Sequence, residues 1–149
     1  MIRRGTVEDI ESIAALYERS FGTLTFLPVL HTREEHVRWF STVMERDELW
    51  LYEDDGTVVG FMMLGDDVLD YLYLDPRVLR RGIGTALLGL AKERRPSGFT
   101  LWTFQQNEGA RAFYERHGLE AIRFTDGEGN EEKTPDVQYA WRPATEPSH

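Results

Sequence analysis

The chain has no cysteine among its 149 residues, which excludes disulfides, thiolate metal sites and a cysteine nucleophile. Histidine is nearly as scarce: His31, His36, His117 and His149 are scattered. Only the first two lie close, and a spacing of five misses a shared helical face, so no metal site is expected. No apolar run approaches the roughly 20 residues of a membrane span. The opening MIRRGTVEDI has no signal-peptide core. A soluble, cytoplasmic protein without a membrane partner is the expectation. Basic residues are outnumbered, 17 against 26, for a net charge of −9. That balance argues against nucleic acid as a partner and permits a cationic one. Repeats, low-complexity tracts and a visible domain boundary are also missing. With 41% hydrophobic and 12% aromatic residues the chain can bury one core. One domain over residues 1–143 is expected, with residues 144–149 as a frayed tail.

What is present is concentrated in VLDYLYLDPRVLRRGIGT, residues 68–85. Val68 to Leu74 reads as a strand, stopped by Asp75-Pro76 because proline lacks a ladder donor and biases its predecessor away from helix. Past a short basic loop, Ile83, Leu87, Leu90 and Ala91 recur at helical spacing, which places Gly82 and Gly84 in the first turn of a helix reaching Arg95. The first amides of a helix lack internal partners and carry the positive end of its dipole, so the junction suits phosphate. Glycine keeps side chains from holding an anion away, and Arg80 and Arg81 reverse the local sign of charge. For an isolated GxG the preferred reading is a tight turn with Arg80 and Arg81 in a solvated loop, so context has to decide. The stretch is neither a P-loop, which needs Lys then Ser or Thr where Thr85 and Ala86 stand, nor the dinucleotide fingerprint, whose third glycine falls on Leu87.

The flanking sequence supplies a platform. Met1 to Gly5 predicts an edge strand, and Thr6-Val7-Glu8-Asp9 opens a helix with Ile10, Ile13, Ala14, Tyr17 and Phe21 as its buried stripe. The apolar loop TLTFLPVLH follows, and Thr32 to Glu35 opens a second helix carrying Val37, Phe40, Val43 and Met44. From Glu48 the period changes to three strands in an antiparallel meander, turned at Asp54-Asp55-Gly56 and Gly65-Asp66-Asp67. GFTLWTF after the Ile83 helix completes a strand, helix and parallel strand. Asn107 caps a helix that Gly118 ends, and strands near 120–124 and 137–141 close the domain across the polar segment TDGEGNEEKTPD.

Strand, RRGIGTALL helix, strand, then NEGARAFYERHGL and another strand resemble the GNAT superfamily of acetyl-coenzyme A-dependent N-acetyltransferases. The resemblance centres on residues 69–124, with a compatible order of elements before them. Leu79 stands where the family usually has Gln or Arg, a change that leaves backbone donors intact. The implied fold is mixed α/β (α+β): a mostly antiparallel sheet with one parallel βαβ pair, flanked by about four helices. The implied co-substrate is acetyl-coenzyme A. Its pyrophosphate would lie on amides of Arg80, Arg81, Gly82, Ile83, Gly84 and Thr85, and its pantetheine arm along the strand edge at Leu72, Tyr73 and Leu74. Asn107 matches the asparagine near the thioester, and Ala110 the small residue that lets the cofactor pass. Residues 107, 110 and 114 share a helical face, and Tyr114 takes the place of the tyrosine beside the leaving thiolate.

An amine of pKa near about 10 is mostly protonated at neutral pH, so a base helps. Asp70, twelve residues before Gly82, stands where several relatives carry a catalytic acid, and a half-exposed strand carboxylate is the competing reading. The implied reaction is direct transfer in a ternary complex to an amine of a small molecule or peptide, with the oxyanion on an N–H near Leu74. In the family the loop at residues 21–31 and the connection at 125–136 shape the acceptor pocket; Glu128, Glu131, Glu132 and Asp136 favour a cationic amine there. A homodimer is compatible with the resemblance. An acyl-coenzyme A-binding sensor and a protein N-terminal or lysine acetyltransferase are the alternatives.

Overall fold

A computed structural model of the chain describes residues 1–79 and 81–143. Strand β1 (Ile2–Arg4) runs into a capping box in which the Thr6 hydroxyl accepts from Glu8 N–H and the Asp9 carboxylate accepts from Thr6 N–H at 2.8 Å. The Arg3 guanidinium grips the same carboxylate at 2.7 and 3.0 Å, and a 3-10 turn (Val7–Asp9) leads into α1 (Ile10–Phe21). Helix α2 (Arg33–Val43) starts from a second capping box, Thr32 with Glu35. The expected meander follows as β2 (Glu48–Asp54), β3 (Thr57–Leu64) and β4 (Leu69–Leu74), with β1 on the outer edge of β2. Asp55 and Gly56 turn the first hairpin at φ of 50° and 77°, the left-handed pair that short hairpins require.

Helix α3 (Ile83–Arg94), β5 (Phe99–Phe104), α4 (Glu108–Arg116), β6 (Glu120–Phe124) and β7 (Asp136–Trp141) complete the domain, with the last three strands ordered β5-β7-β6 and antiparallel. The run VVGFMML in β3 is buried on both faces because helices cover both. Phe61 and Met63 pack with α1 and α2, while Met62 and Leu64 pack with α3 and the second sheet.

The parallel pairing expected between β4 and β5 shrinks to a single bridge, Val68 with Thr100, where Thr100 N–H donates to the Asp67 carbonyl at 2.9 Å. The β3–β4 register gives the reason. Met63 pairs with Tyr71 and Leu64 with Leu69, so Asp70 is the extra residue of a bulge. A bulge bends its strand and increases the local twist. The β4 strand therefore turns away from β5 immediately after the bridge.

Candidate active site

The divergence leaves a slot. Strand β4 spends one edge on β3, and among the described residues no ladder pairs the other edge beyond Val68. Backbone N–H and C=O groups of the Leu72 to Leu74 segment on that edge are thus open to an extended ligand with amides of its own. The side chains of Leu72 and Leu74 pack on the α3 side, and Tyr73 packs on the α1 side. Burial, and then the neighbouring phenols of Tyr17, Tyr114 and Tyr71, hold the Tyr73 phenol well above its ordinary value.

At the C-terminal end of β4, Asp75 fixes the loop toward α3. Its buried carboxylate accepts from Arg77 at 2.7 and 3.0 Å and from Arg19 at 3.1 Å, and the Arg77 hydrogen bonds hold the carboxyl far below the usual range. Gly82 then takes the N-cap position with φ 80°, ψ 4°, and caps no amide with a side chain. Ala86 N–H is the first in α3 to reach back, to Gly82 O at 3.0 Å, so the amides of Ile83, Gly84 and Thr85 precede any intrahelical acceptor.

The two glycines do different work. A Cβ on Gly82 would meet nothing within 4 Å, whereas one on Gly84 would stand 3.2 Å from Phe113 and 3.3 Å from Leu74. Gly84 therefore lets α3 close against α4 and β4, rather than clearing space for an anion. Arg81 faces the first hairpin and pairs with Asp54 at 3.0 Å. Arg80 lies outside the described residues.

Asn107 caps α4 by accepting from Ala110 N–H at 3.2 Å, which leaves its amide NH₂ to other partners. Ala110 is half-buried on the same helix. Tyr114 is buried in the α3-side core beside Phe113 and Tyr139, with ring centroids 5.4 and 5.8 Å away. Its hydroxyl has no hydrogen-bond partner among the described residues, and burial pushes the phenol up, keeping it a neutral donor.

Asp70 lies elsewhere. Its carboxylate is 4.0 Å from the Arg46 guanidinium and converges with Asp47 on Gly65, where an added Cβ would lie 3.0 Å from Asp47 and 3.5 Å from Asp70. Buried Asp47 leaves one oxygen unpartnered, and burial, reinforced by the Asp70 carboxylate, pushes its carboxyl up to about 7.

On the α1 side a cavity of about 660 Å³ opens between the two segments expected to shape an acceptor pocket. Residues 28–31 line one side, and Glu131 and Glu132 the other. Glu128 and Asp136 do not line it; Asp136 is held instead by Thr125 and Asn130. His31 joins the two walls, contacting Glu131 through Nε2 and Glu35 through Nδ1 at 3.3 Å. Aromatic residues form the floor: Tyr17, Phe40 and Tyr71, with Trp39 Nε1 donating to the Tyr71 hydroxyl. Trp39 and Tyr71 were not legible as site residues, because a helix and a strand 32 residues apart supply them. Among the described residues no helix is long and apolar enough to cross a membrane, and no group of three or more His, Cys, Asp or Glu side chains is placed to hold a metal ion.

Residues 45–120 match the acetyltransferase (GNAT) domain family. The chain belongs to this family. It is 34% identical over 120 residues to the peptidyl-lysine N-acetyltransferase YjaB of Salmonella typhimurium, covering 79% of this chain and 81% of that protein. It is 30% identical over 144 residues to the uncharacterized N-acetyltransferase MJ1207 of Methanocaldococcus jannaschii, and spans 63% of that longer relative while 85% of this chain is covered. The solution structure of apo YjaB from Escherichia coli superposes with a TM-score of 0.78 at 28% identity, covering 97% of this chain and 98% of that one. The paia N-acetyltransferase of Thermoplasma acidophilum, solved in complex with coenzyme A, shares the fold at a TM-score of 0.75 and 18% identity, with 95% of this chain and 98% of that one covered. The GNAT domain is thus an acetyl-coenzyme A-dependent N-acetyltransferase, and acetyl-coenzyme A is its co-substrate.

Proposed function

We propose that this acetyltransferase acts by direct transfer on a primary amine that carries or neighbours positive charge, bound in the cavity between the α1–α2 loop and the β6–β7 connection. The observation that carries the reading is that cavity, with aromatic walls and the Glu131 and Glu132 carboxylates at its edge. The slot between β4 and β5 suits the cofactor. Its open edge at Leu72, Tyr73 and Leu74 supplies amide partners for pantetheine, and the amides of Ile83, Gly84 and Thr85 supply donors for pyrophosphate. Arg80, Arg81 and Gly82 complete that loop in the reading. Asn107 and Ala110 flank the thioester end.

Tyr114 donates its phenolic hydrogen to the departing sulfur. Its burial supports the role, because a phenol that stays protonated at every working pH is always available to donate. Asp70 serves as the base in concert with Asp47 and through water, since neither lines the cavity. Burial, reinforced by the Asp70 carboxylate, pushes the Asp47 carboxyl up to about 7, which gives the site a proton acceptor near neutral pH. Asp70→Asn should then lower kcat/KM most where the wild-type carboxylates are ionised and least on the acid side, where the base is already protonated; an unchanged profile would reduce Asp70 to a strand carboxylate.

A peptide lysine is favoured as acceptor over a free amine by one further feature. Val29 and Trp39 at the cavity rim are 90% and 58% exposed, an apolar lip with no use for a small ion but suited to residues flanking a lysine. Free-thiol release from acetyl-coenzyme A across a panel of polyamines, aminoglycosides and lysine peptides tests the reading. Turnover on lysine peptides above polyamines and aminoglycosides supports it, the reverse order would refute the preference for a peptide, and coenzyme A binding without turnover on any of them would make the chain a sensor.

A further inference from the structure

At the C-terminal end of α4, the His117 ring bridges to the first turn of α3. Nδ1 lies 2.8 Å from the Phe113 carbonyl, and Nε2 lies 3.0 Å from Thr85 Oγ1. A carbonyl only accepts, so Nδ1 carries hydrogen and the neutral ring has only a lone pair left at Nε2. The Thr85 hydroxyl then donates to the imidazole and turns its own lone pairs toward solvent. When the ring is protonated the bond reverses: Nε2–H donates to Oγ1, and the Thr85 hydrogen is released outward.

Thr85 is exposed at the third position of α3, beside the amides that receive the pyrophosphate in the functional reading above. We infer that His117 is a positioning residue for the cofactor, turning the Thr85 hydroxyl from a lone pair facing the pyrophosphate into a donor to it. The inference rests on the pyrophosphate lying at the start of α3. Binding then takes up a proton, so affinity rises as pH falls. The charges facing the ring are few. Lys92 of α3 places its ammonium on the His117 carbonyl at 2.6 Å, Arg116 precedes it on α4, and the Phe113 ring packs against it, tilted by 38°, at 4.4 Å.

Calorimetry with dephospho-coenzyme A tests this, because that probe keeps the pyrophosphate and lacks the phosphate monoester that would itself titrate. One hydrogen bond to an anion corresponds to about tenfold in affinity. Wild type should bind about tenfold tighter at pH 5.5 than at pH 8.5, and Thr85→Ser should keep that slope. Thr85→Val should be flat and weak. His117→Phe, which preserves the ring contact with Phe113, should be flat and tighter than Thr85→Val, since the Thr85 hydroxyl is then free at every pH. A flat wild-type profile, or a slope that survives in Thr85→Val, would overturn the inference. Gly82→Asp separates it from the underlying reading: undiminished affinity in that variant would remove the pyrophosphate from α3, and the inference with it. Lost affinity beside a flat wild-type profile would overturn the role of His117 alone.

Discussion

Replacing Tyr114 by Phe removes one hydroxyl and nothing else from the site. The ring keeps its contacts with Phe113 and Tyr139, and the deleted oxygen has no hydrogen-bond partner among the described residues. The stability change should therefore stay within about 1 kcal/mol, the scale of one net hydrogen bond. Catalysis should suffer far more. A positioned acid contributes about 10² to 10⁴ in rate, or about 3–5 kcal/mol of barrier at 1.36 kcal/mol per tenfold. Because the interaction forms with the departing sulfur, the loss should fall on kcat while coenzyme A affinity barely moves. Burial holds the phenol protonated, so no alkaline limb below pH 9 should trace to it. Steady-state kinetics with the best acceptor, calorimetry with coenzyme A and a melting curve on the two proteins measure all three quantities. Full activity in Tyr114→Phe would mean that water or the amine supplies the proton, and collapsed affinity would make Tyr114 a binding residue.

Three further outcomes follow from the geometry. Gly82→Asp should leave the domain folded, at a cost of about 1 kcal/mol for a side chain at φ 80°, and should cost coenzyme A affinity, because its carboxylate enters open space at the helix start. Gly84→Ala, whose Cβ would meet Phe113 at 3.2 Å rather than the open helix start, should spare coenzyme A affinity; equal losses of affinity in the two variants would refute the division of roles. Charge reversal of Glu131 and Glu132 to Lys should raise KM for a cationic acceptor and spare KM for acetyl-coenzyme A, and unchanged constants would make the segment ordinary surface. Asp47 predicts a pH dependence of stability. With its folded carboxyl near about 7 against an ordinary 3.8, the folded chain holds a proton that the unfolded chain has lost, so stability falls as pH rises across that window. Asp47→Asn should raise stability at pH 8 by about 1–2 kcal/mol, discounted for solvent screening, and by little at pH 4. A gain independent of pH in urea unfolding would count against the shared proton.

Most of the element order was legible because its signals are local. Two capping boxes, an Asp-Gly hairpin, a proline stop and helical spacing each lie within a few residues. The bulge at Asp70 was not legible, since no glycine or proline marks it and only the β3 register exposes it. That one residue converts an expected parallel ladder into the slot. Arg81 read as a free phosphate partner, but the hairpin 27 residues before it provides an acid. Gly84 read as an anion glycine because the ring that crowds it comes from α4. The two pocket segments were named from family resemblance, yet their junction through His31 and Glu131, 100 residues apart, belongs to tertiary structure alone.

In the proposed reading cofactor and amine approach β4 from different sides, the first through the slot and the second through the acidic cavity. A crystal structure of the protein with coenzyme A and its best acceptor tests it most directly. The account predicts the pantetheine arm hydrogen-bonded along Leu72 to Leu74, the pyrophosphate on the amides after Gly82, and the acceptor's cationic part beside Glu131 and Glu132. Coenzyme A bound away from the β4–β5 slot, or an acceptor bound outside the cavity, would contradict it.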